Sequence, residues 1–344
     1  MQKIVHPEDY KYVHPIFSDI ERLYVATSER RLKQQTLVPK VYDSSFGWLC
    51  DLFAEFGGFT DNFSFVDKKY QPLELPKYDP KNIILCFSGG KDSLAASLYY
   101  KEQGYNVYLY YLKSVNPIFD EFTIAEKLAE KLELPLFVDE VKVSGHHEWI
   151  EHPMKNMIIA NGALAYGIQN NIGTKIAFGN YRTSTLYDDE FSYCGGDDVE
   201  MWCAYEEIIN RIIPDFSVDL CLENLGVTLD TVCKHKDLLD YTISCLGRAG
   251  LRDYRHSWVK DKFDIDLPKH RCGSCYKCAV EYIYMADHDL QKYSADYYKY
   301  CIDRLRLDAK RETGEKLPID RLWERYFFYD RNESKYLQEH KDVV

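Results

Sequence analysis

Residues 81–100 read KNIILCFSGGKDSLAASLYY. Residues 82–87 have the character of a short buried strand. The run stops at Ser88-Gly89-Gly90, and a second apolar run with helical spacing starts at once. Where a strand turns directly into a helix, the first helical N–H groups have no intrahelical partner and carry partial positive charge. Two glycines let backbone approach a ligand with no side chain in the way. Ser88 and Ser93 add hydroxyls. Lys91 can neutralise phosphate charge, and Asp92 can hold Mg2+. The turn therefore reads as a cradle for the pyrophosphate of ATP. It is not a G-x-x-x-x-G-K-[ST] loop, because its glycines are closer and its lysine is followed by aspartate. The plain alternative is a glycine turn whose helix is capped by Asp92 or Ser93.

Outward from this turn the pattern alternates. Strands are expected at 82–87, 106–112, 135–141 and 175–180. Helices are expected at 92–104, 122–134 and 152–173. Strands separated by helices of this length predict an α/β fold, with a parallel sheet covered on both faces. Past Asp188 the pattern is less regular, and from Ser294 it is helical. Residues 1–80 are rich in aromatics and end in the proline-spaced QPLELPKYDP, read as a linker. Four regions follow: an N-terminal extension (1–80), a nucleotide-binding α/β region (81–240), a cysteine-bearing part (241–290) and a helical C-terminal extension (291–344).

The chain has 344 residues, a net charge of −12 and 46% hydrophobic residues. This is the composition of a soluble globular protein with a sizeable core. The acidic balance argues against a protein that grips nucleic-acid phosphates, and favours small-molecule or protein partners. No apolar run has signal-peptide or membrane-spanning form, so a cytoplasmic protein is expected. In that compartment eleven cysteines are read first as metal ligands rather than as disulfides. HRCGSCYKC places Cys272, Cys275 and Cys278 at repeated C-x-x-C spacing, which points three thiolates at one centre. A closed zinc site needs a fourth ligand, for which Cys245, His256 and His270 are candidates. Zinc is preferred to an iron–sulfur cluster, with a structural role.

SGGKDS resembles the loop of the PP-loop ATP pyrophosphatases. These adenylating enzymes have an adenine nucleotide alpha hydrolase-like fold, and include NAD synthetase, GMP synthetase, tRNA thiolation enzymes and 7-cyano-7-deazaguanine synthase. The resemblance implies cleavage of ATP between its α and β phosphates, with AMP passing to a substrate oxygen. Together with the cysteine cluster, the chain is most similar to the 7-cyano-7-deazaguanine synthase family over roughly residues 81 to 285. In that family a cysteine upstream of the C-x-x-C pair completes a zinc site. YTISCLGRAG supplies Cys245, although a longer insertion separates it from Cys272, so His270 stays open as the fourth ligand. Glu121 matches the family's helix-starting glutamate. Pro153, Lys155 (in place of arginine) and Asn156 match its helix start, and IAFGN matches the strand leading to the pocket. Asp189 and Tyr193 match part of a further segment, whose remainder does not align.

A deazaguanine presents N–H donors and a flat face, so its pocket needs a carboxylate and a stacking ring. Asp189, Asp197 or Asp198 suits the first role, and Phe191, Tyr193 or Trp202 the second. An acidic surface loop is the alternative for this stretch. Gly195 and Gly196 hint at a lid, and His146, His147 and His152 are read as loop residues. The resemblance implies a 7-carboxy-7-deazaguanine-type carboxylate as substrate, ATP, Mg2+ and Zn2+ as cofactors, and amine capture to an amide or nitrile. Divergent relatives in antiviral defence join a deazaguanine to a protein amine, and the terminal extensions would suit such a partner. tRNA thiolation and a non-catalytic nucleotide sensor are further readings. Oligomeric state is left open.

Overall fold

The computed structural model describes residues 13–31, 40–55, 63–114, 121–141, 155–181, 199–222, 225–243 and 249–326, with 334, 337 and 338. Its centre is a five-stranded parallel sheet built from β3 (Asn82–Cys86), β4 (Asn106–Ser114), β5 (Leu136–Val141), β6 (Ile176–Tyr181) and β7 (Val218–Leu222). The spatial order is β5-β4-β3-β6-β7. β3 pairs with β4 in the register Leu85↔Leu109 and with β6 in the register Ile84↔Ile176. The chain runs outward from β3 to one edge, then returns to its other side and runs to the opposite edge. β3 and β6 are therefore the strands between which the order reverses, where open α/β sheets bind ligands beyond the strand carboxyl ends.

Alternate residues of each strand face opposite sides of the sheet. Ile83 and Leu85, with Val107, Leu109 and Ala177, meet α3 (Lys91–Glu102), α4 (Glu121–Leu132) and α7 (Leu225–Cys233). Ile84 and Cys86, with Tyr110, Ile176 and Phe178, meet α5 (Lys155–Gln169) and α6 (Val199–Ile209). Both faces are covered, which is why the strands read as continuous apolar runs rather than as alternating ones. The α/β architecture expected from the sequence is the one observed. β7 was hidden in the sequence, because VDLCL is short and its apolar run is broken at its second residue, Asp219.

The N-terminal residues complete the second face. α1 (Pro15–Arg31) packs on α5, and α2 (Gly47–Glu55) packs on α6. Ile16, Phe17, Ile20, Phe46 and Leu49 belong to the same apolar cluster as β3 and β6. Asn161 of α5 joins the layers: its amide donates to Phe17 O at 3.3 Å and accepts from the Tyr205 hydroxyl at 3.2 Å. β1 (Lys40–Asp43) and β2 (Phe63–Val66) form a small parallel pair. The fully buried Asp43 ends β1. It accepts from Ser45 N at 3.1 Å, Ser45 Oγ at 2.7 Å and Lys68 N at 2.7 Å, and faces Arg211 Nε at 3.4 Å. The segment read as a linker lies against the core, with Leu73 and Leu75 partly buried and Leu73 N donating to Ile212 O at 2.8 Å.

Beyond the sheet, α8 (Lys236–Leu239) leads toward a third cluster formed by α9 (Ala249–Phe263), α10 (Tyr276–Asp287), α11 (Ala295–Thr313) and α12 (Ile319–Tyr326). Tyr282, Tyr297 and Tyr298 are fully enclosed in it. Met285 of α10 reaches the sheet-side cluster, and the Tyr284 hydroxyl donates to Asp230 of α7, so this helical part is docked on the α/β core. Among the described residues, no helix is long and apolar enough to cross a membrane.

Candidate nucleotide turn and cysteine knuckle

In a parallel sheet with helical crossovers, every helix begins at the carboxyl edge of the strands. That edge therefore collects the starts of α3, α4, α5 and α6. The turn after β3 sits at its middle. Gly89 adopts φ +76, a left-handed conformation, and a Cβ placed there would lie 2.9 Å from the Ala125 Cα of α4. Only glycine satisfies both the torsion and this approach. Gly90 is the N-cap of α3 and offers no side chain, and no side-chain hydrogen bond caps the helix. Ser93, a possible cap in the sequence reading, instead donates its hydroxyl to Gly90 O at 3.0 Å. Ser88 Oγ accepts from Gly90 N at 3.3 Å and lies 3.5 Å from Ser93 Oγ. An ordinary side-chain-capped turn is thus not what the chain forms.

Lys91 is buried, and its Nζ meets Asp92 Oδ1 at 2.6 Å. The Lys91–Asp92 pair carries no net charge as it stands, so the positive potential of the turn comes from the N-terminal end of α3, in a chain that is acidic overall. The neighbouring strand makes room for it. β6 departs from regular pairing with β7 between Phe178 and Tyr181. A Cβ on Gly179 would come within 2.7 Å of the Asp92 carbonyl carbon and 2.8 Å of Ser93 N. Gly179 lets the first turn of α3 rest on β6. A glycine inside a strand motif often marks a close backbone approach, and that is the signal for it in IAFGN.

Ser88, Gly89, Gly90, Lys91, Asp92 and Ser93 are brought together as one turn. Asn156 stands in the first turn of α5, and Glu121 opens α4, both at the same sheet edge. Trp202 is a correction. It is 2% exposed, with its ring 4.5 Å from that of Phe178, because the start of α6 turns this side chain into the core rather than toward a ligand. Asp189, Tyr193, Phe191, Asp197, Asp198, Gly195, Gly196, Pro153, His146, His147, His152 and Cys245 lie outside the described residues.

The second constellation is the cysteine knuckle. The sulfurs of Cys272, Cys275 and Cys278 all lie within 4.8 Å of one another. Cys272 Sγ is 3.9 Å from Cys278 Sγ, and Cys275 Sγ is 3.5 Å from it. A tetrahedral zinc with Zn–S near 2.3 Å sets sulfur–sulfur edges at about 3.8 Å, so the spacing fits the ion. Cys272 Sγ also accepts from Ser274 N at 3.4 Å, as a thiolate does in such a knuckle. Gly273 has φ +67, and its carbonyl accepts from the buried Tyr297 hydroxyl at 2.8 Å, which fixes the knuckle on the tyrosine-rich cluster. Among the described residues neither His256 nor His270 joins the three sulfurs. His256 turns its Nδ1 to Arg271 O at 2.8 Å.

Other cysteines are chemically different. Burial pushes the Cys50 and Cys233 thiols up to about 12, and raises Cys86 and Cys301 further. These stay protonated core residues. The nine described cysteines form no disulfide.

Two groups were not legible in the sequence. Ile243 forms an isolated parallel bridge with Gly90, its N–H donating to Gly89 O at 3.0 Å. Arg271 and Glu281, both buried, form a bidentate pair directly beside the knuckle. An arginine just before the first cysteine and a glutamate three residues after the last are the only trace of this in the sequence.

No protein-family profile and no curated protein matches the chain. Among solved structures, it is similar to a predicted subunit of tRNA methyltransferase from Methanocaldococcus jannaschii, with 20% identity and a TM-score of 0.27 over 45% of this chain and 72% of that one. It is also similar to the NMN synthetase from Francisella tularensis, with 13% identity and a TM-score of 0.32 over 73% of this chain and 90% of that one. At these scores neither likeness bears on function.

Proposed function

We propose that the chain is an ATP-dependent adenylating enzyme, acting on a 7-carboxy-7-deazaguanine-type carboxylate. The observation that carries the reading is the uncapped start of α3 at the strand-order reversal, with Gly89 at φ +76 and Lys91 buried beside it. Such a helix start binds phosphate through its N–H groups. In the proposed reaction a substrate carboxylate oxygen attacks the α-phosphorus of ATP. The bond from that phosphorus to the bridging oxygen breaks, and pyrophosphate departs into the turn. The N–H groups of α3, Lys91 and the hydroxyls of Ser88 and Ser93 stabilise the charge that develops on it. Mg2+, held with Asp92, would supply further neutralisation of the phosphates. An amine then attacks the acyl carbon, AMP leaves and the surplus proton passes to solvent. With ammonia the product is an amide. A second adenylation on the amide oxygen, followed by loss of AMP and a proton, gives a nitrile.

Asn156, Asp189 and Tyr193 are proposed to hold the heterocycle. Cys272, Cys275 and Cys278 are proposed to hold a structural Zn2+, with Cys245 as the fourth ligand. One observation favours a protein amine as acceptor. Val41, Trp48, Phe65 and Val66 are exposed apolar side chains on the small β1–β2 unit and α2, a surface suited to a polypeptide partner.

The test is incubation with ATP, Mg2+ and 7-carboxy-7-deazaguanine, with and without ammonia, followed by mass spectrometry of small molecules and protein. AMP and pyrophosphate together with an amide or nitrile support the small-molecule reading. A mass increase on a polypeptide supports conjugation. No carboxylate-dependent AMP in either arm refutes the proposal.

A further inference from the structure

Arg271 is 1% exposed, yet it bonds on every side. Its Nε donates to Glu281 Oε1 at 3.1 Å and Oε2 at 2.9 Å, and Nη2 donates to Oε1 at 2.9 Å. Nη1 donates to Thr242 O at 2.6 Å and Lys269 O at 3.4 Å, while Nη2 donates to Thr242 Oγ1 at 2.8 Å. The fork of a guanidinium is thus filled. The Thr242 hydroxyl passes its own hydrogen to Leu239 O at 2.9 Å.

The chain neighbours of these groups give the cluster its meaning. Arg271 precedes Cys272 directly, and Glu281 follows Cys278 on α10. Thr242 directly precedes Ile243, whose N–H holds Gly89 O. One buried guanidinium therefore connects the cysteine knuckle to the backbone that pairs with the phosphate turn. The path is Cys272, Arg271, Thr242, Ile243 and Gly89–Gly90, with a covalent bond or a hydrogen bond at each step. A network so fully satisfied has one low-energy arrangement, and displacement at one end is felt at the other.

We propose that Arg271 is a positioning residue for the phosphate turn, so that metal binding at the three cysteines and anion binding at Gly89–Ser93 are thermodynamically coupled. Coupling of this kind is reciprocal: if Zn2+ tightens pyrophosphate binding by some factor, pyrophosphate tightens Zn2+ binding by the same factor. The anion half of the coupling rests on the nucleotide reading above; the effect on the backbone of the turn does not.

The experiment is amide hydrogen exchange on peptides covering residues 86–97 and 240–247, with Zn2+ bound and after chelation. Chelation of the wild-type protein should speed exchange at the turn and at the Ile243 amide by about 10-fold. Arg271→Lys keeps a cation for Glu281 but loses the fork. With Zn2+ fully bound it should already show the fast exchange at the turn, and weaken pyrophosphate binding by about 10-fold. Thr242→Val leaves the Arg271–Glu281 pair in place and should show the same change to a smaller degree. It carries the test if Arg271→Lys does not fold. The proposal is overturned if chelation loosens residues 269–281 while exchange at the turn is unchanged. It is equally overturned if zinc-loaded Arg271→Lys, or Thr242→Val in its place, exchanges at the turn like wild type. If wild-type protein binds no pyrophosphate, the nucleotide reading fails and the anion half of this proposal fails with it. The exchange data then still decide whether the knuckle positions the turn.

Discussion

Gly179→Ala tests whether β6 positions the phosphate turn. The added methyl would lie 2.7 Å from the Asp92 carbonyl carbon, at a backbone torsion that any residue can adopt, so the perturbation is purely steric. That distance is roughly 0.8 Å inside the ~3.5 Å separation at which carbon atoms attract. The obstacle is main chain on both sides, β6 in the sheet and the first turn of α3, so no flexible side chain can swing away. Overpacking of this kind destabilises by about 1–3 kcal/mol. Relief requires the N–H groups of α3 to move by a large part of an ångström, and misplacement on the order of 1 Å can lower a rate by about 100-fold. Gly104→Ala is the control: its φ is +73, so it bears backbone strain, but its added Cβ meets nothing within 4 Å. Thermal unfolding, pyrophosphate binding by calorimetry and AMP release should be measured on both variants. Gly179→Ala should lose binding and rate out of proportion to its lost stability, whereas Gly104→Ala should lose stability alone. A Gly179→Ala protein with wild-type pyrophosphate affinity and AMP release would refute the idea that β6 seats the turn.

Lys91→Met keeps the buried stem but removes the ammonium, and should lower AMP formation by about 100- to 1,000-fold with little change in Tm; full activity would exclude Lys91 from the site. Cys275→Ser should reduce bound zinc from about one equivalent to a small fraction, read by a metal-sensitive dye, and should loosen the α9–α11 cluster. Unchanged zinc content would show that the ion is held elsewhere. Asp43→Asn should destabilise the protein by about 2–4 kcal/mol, because a buried carboxylate that accepts several hydrogen bonds loses an acceptor. Desolvation alone would raise the Asp43 carboxyl, but the bonds from Ser45 and Lys68 and the charge of Arg211 outweigh it and hold the group below its ordinary value. Stability from a lowered carboxyl is complete above the unfolded value near 4 and is lost as pH falls through the folded one. The gap in unfolding free energy between wild type and Asp43→Asn should therefore be full at pH 6 and close in the acid range below about 4. A gap that stays constant with pH would show that Asp43 carries no lowered proton affinity.

The local parts of the fold were readable from the chain alone, because each is a matter of neighbouring residues. The alternation of apolar strands and amphipathic helices after Asn82 required a covered parallel sheet. Ser-Gly-Gly-Lys-Asp-Ser between strand and helix pointed to a glycine turn at a helix start, and only the structure decided that no N-cap side chain closes it. Paired C-x-x-C spacing brought three sulfurs together, since a cysteine sulfur sits only two bonds from its Cα and cannot reach far from a tight turn. What the sequence could not state were relations between distant segments. The reversal between β3 and β6, the seating of α3 on Gly179, and the turning of Trp202 into the core depend on which surfaces meet after collapse. The contributions of α1 and α2 to the second face of the sheet have the same origin. So does the link from Cys272 through Arg271 and Thr242 to Gly89: a guanidinium chooses its partners by reach and direction in three dimensions, and its partners are spread over about 40 residues of chain.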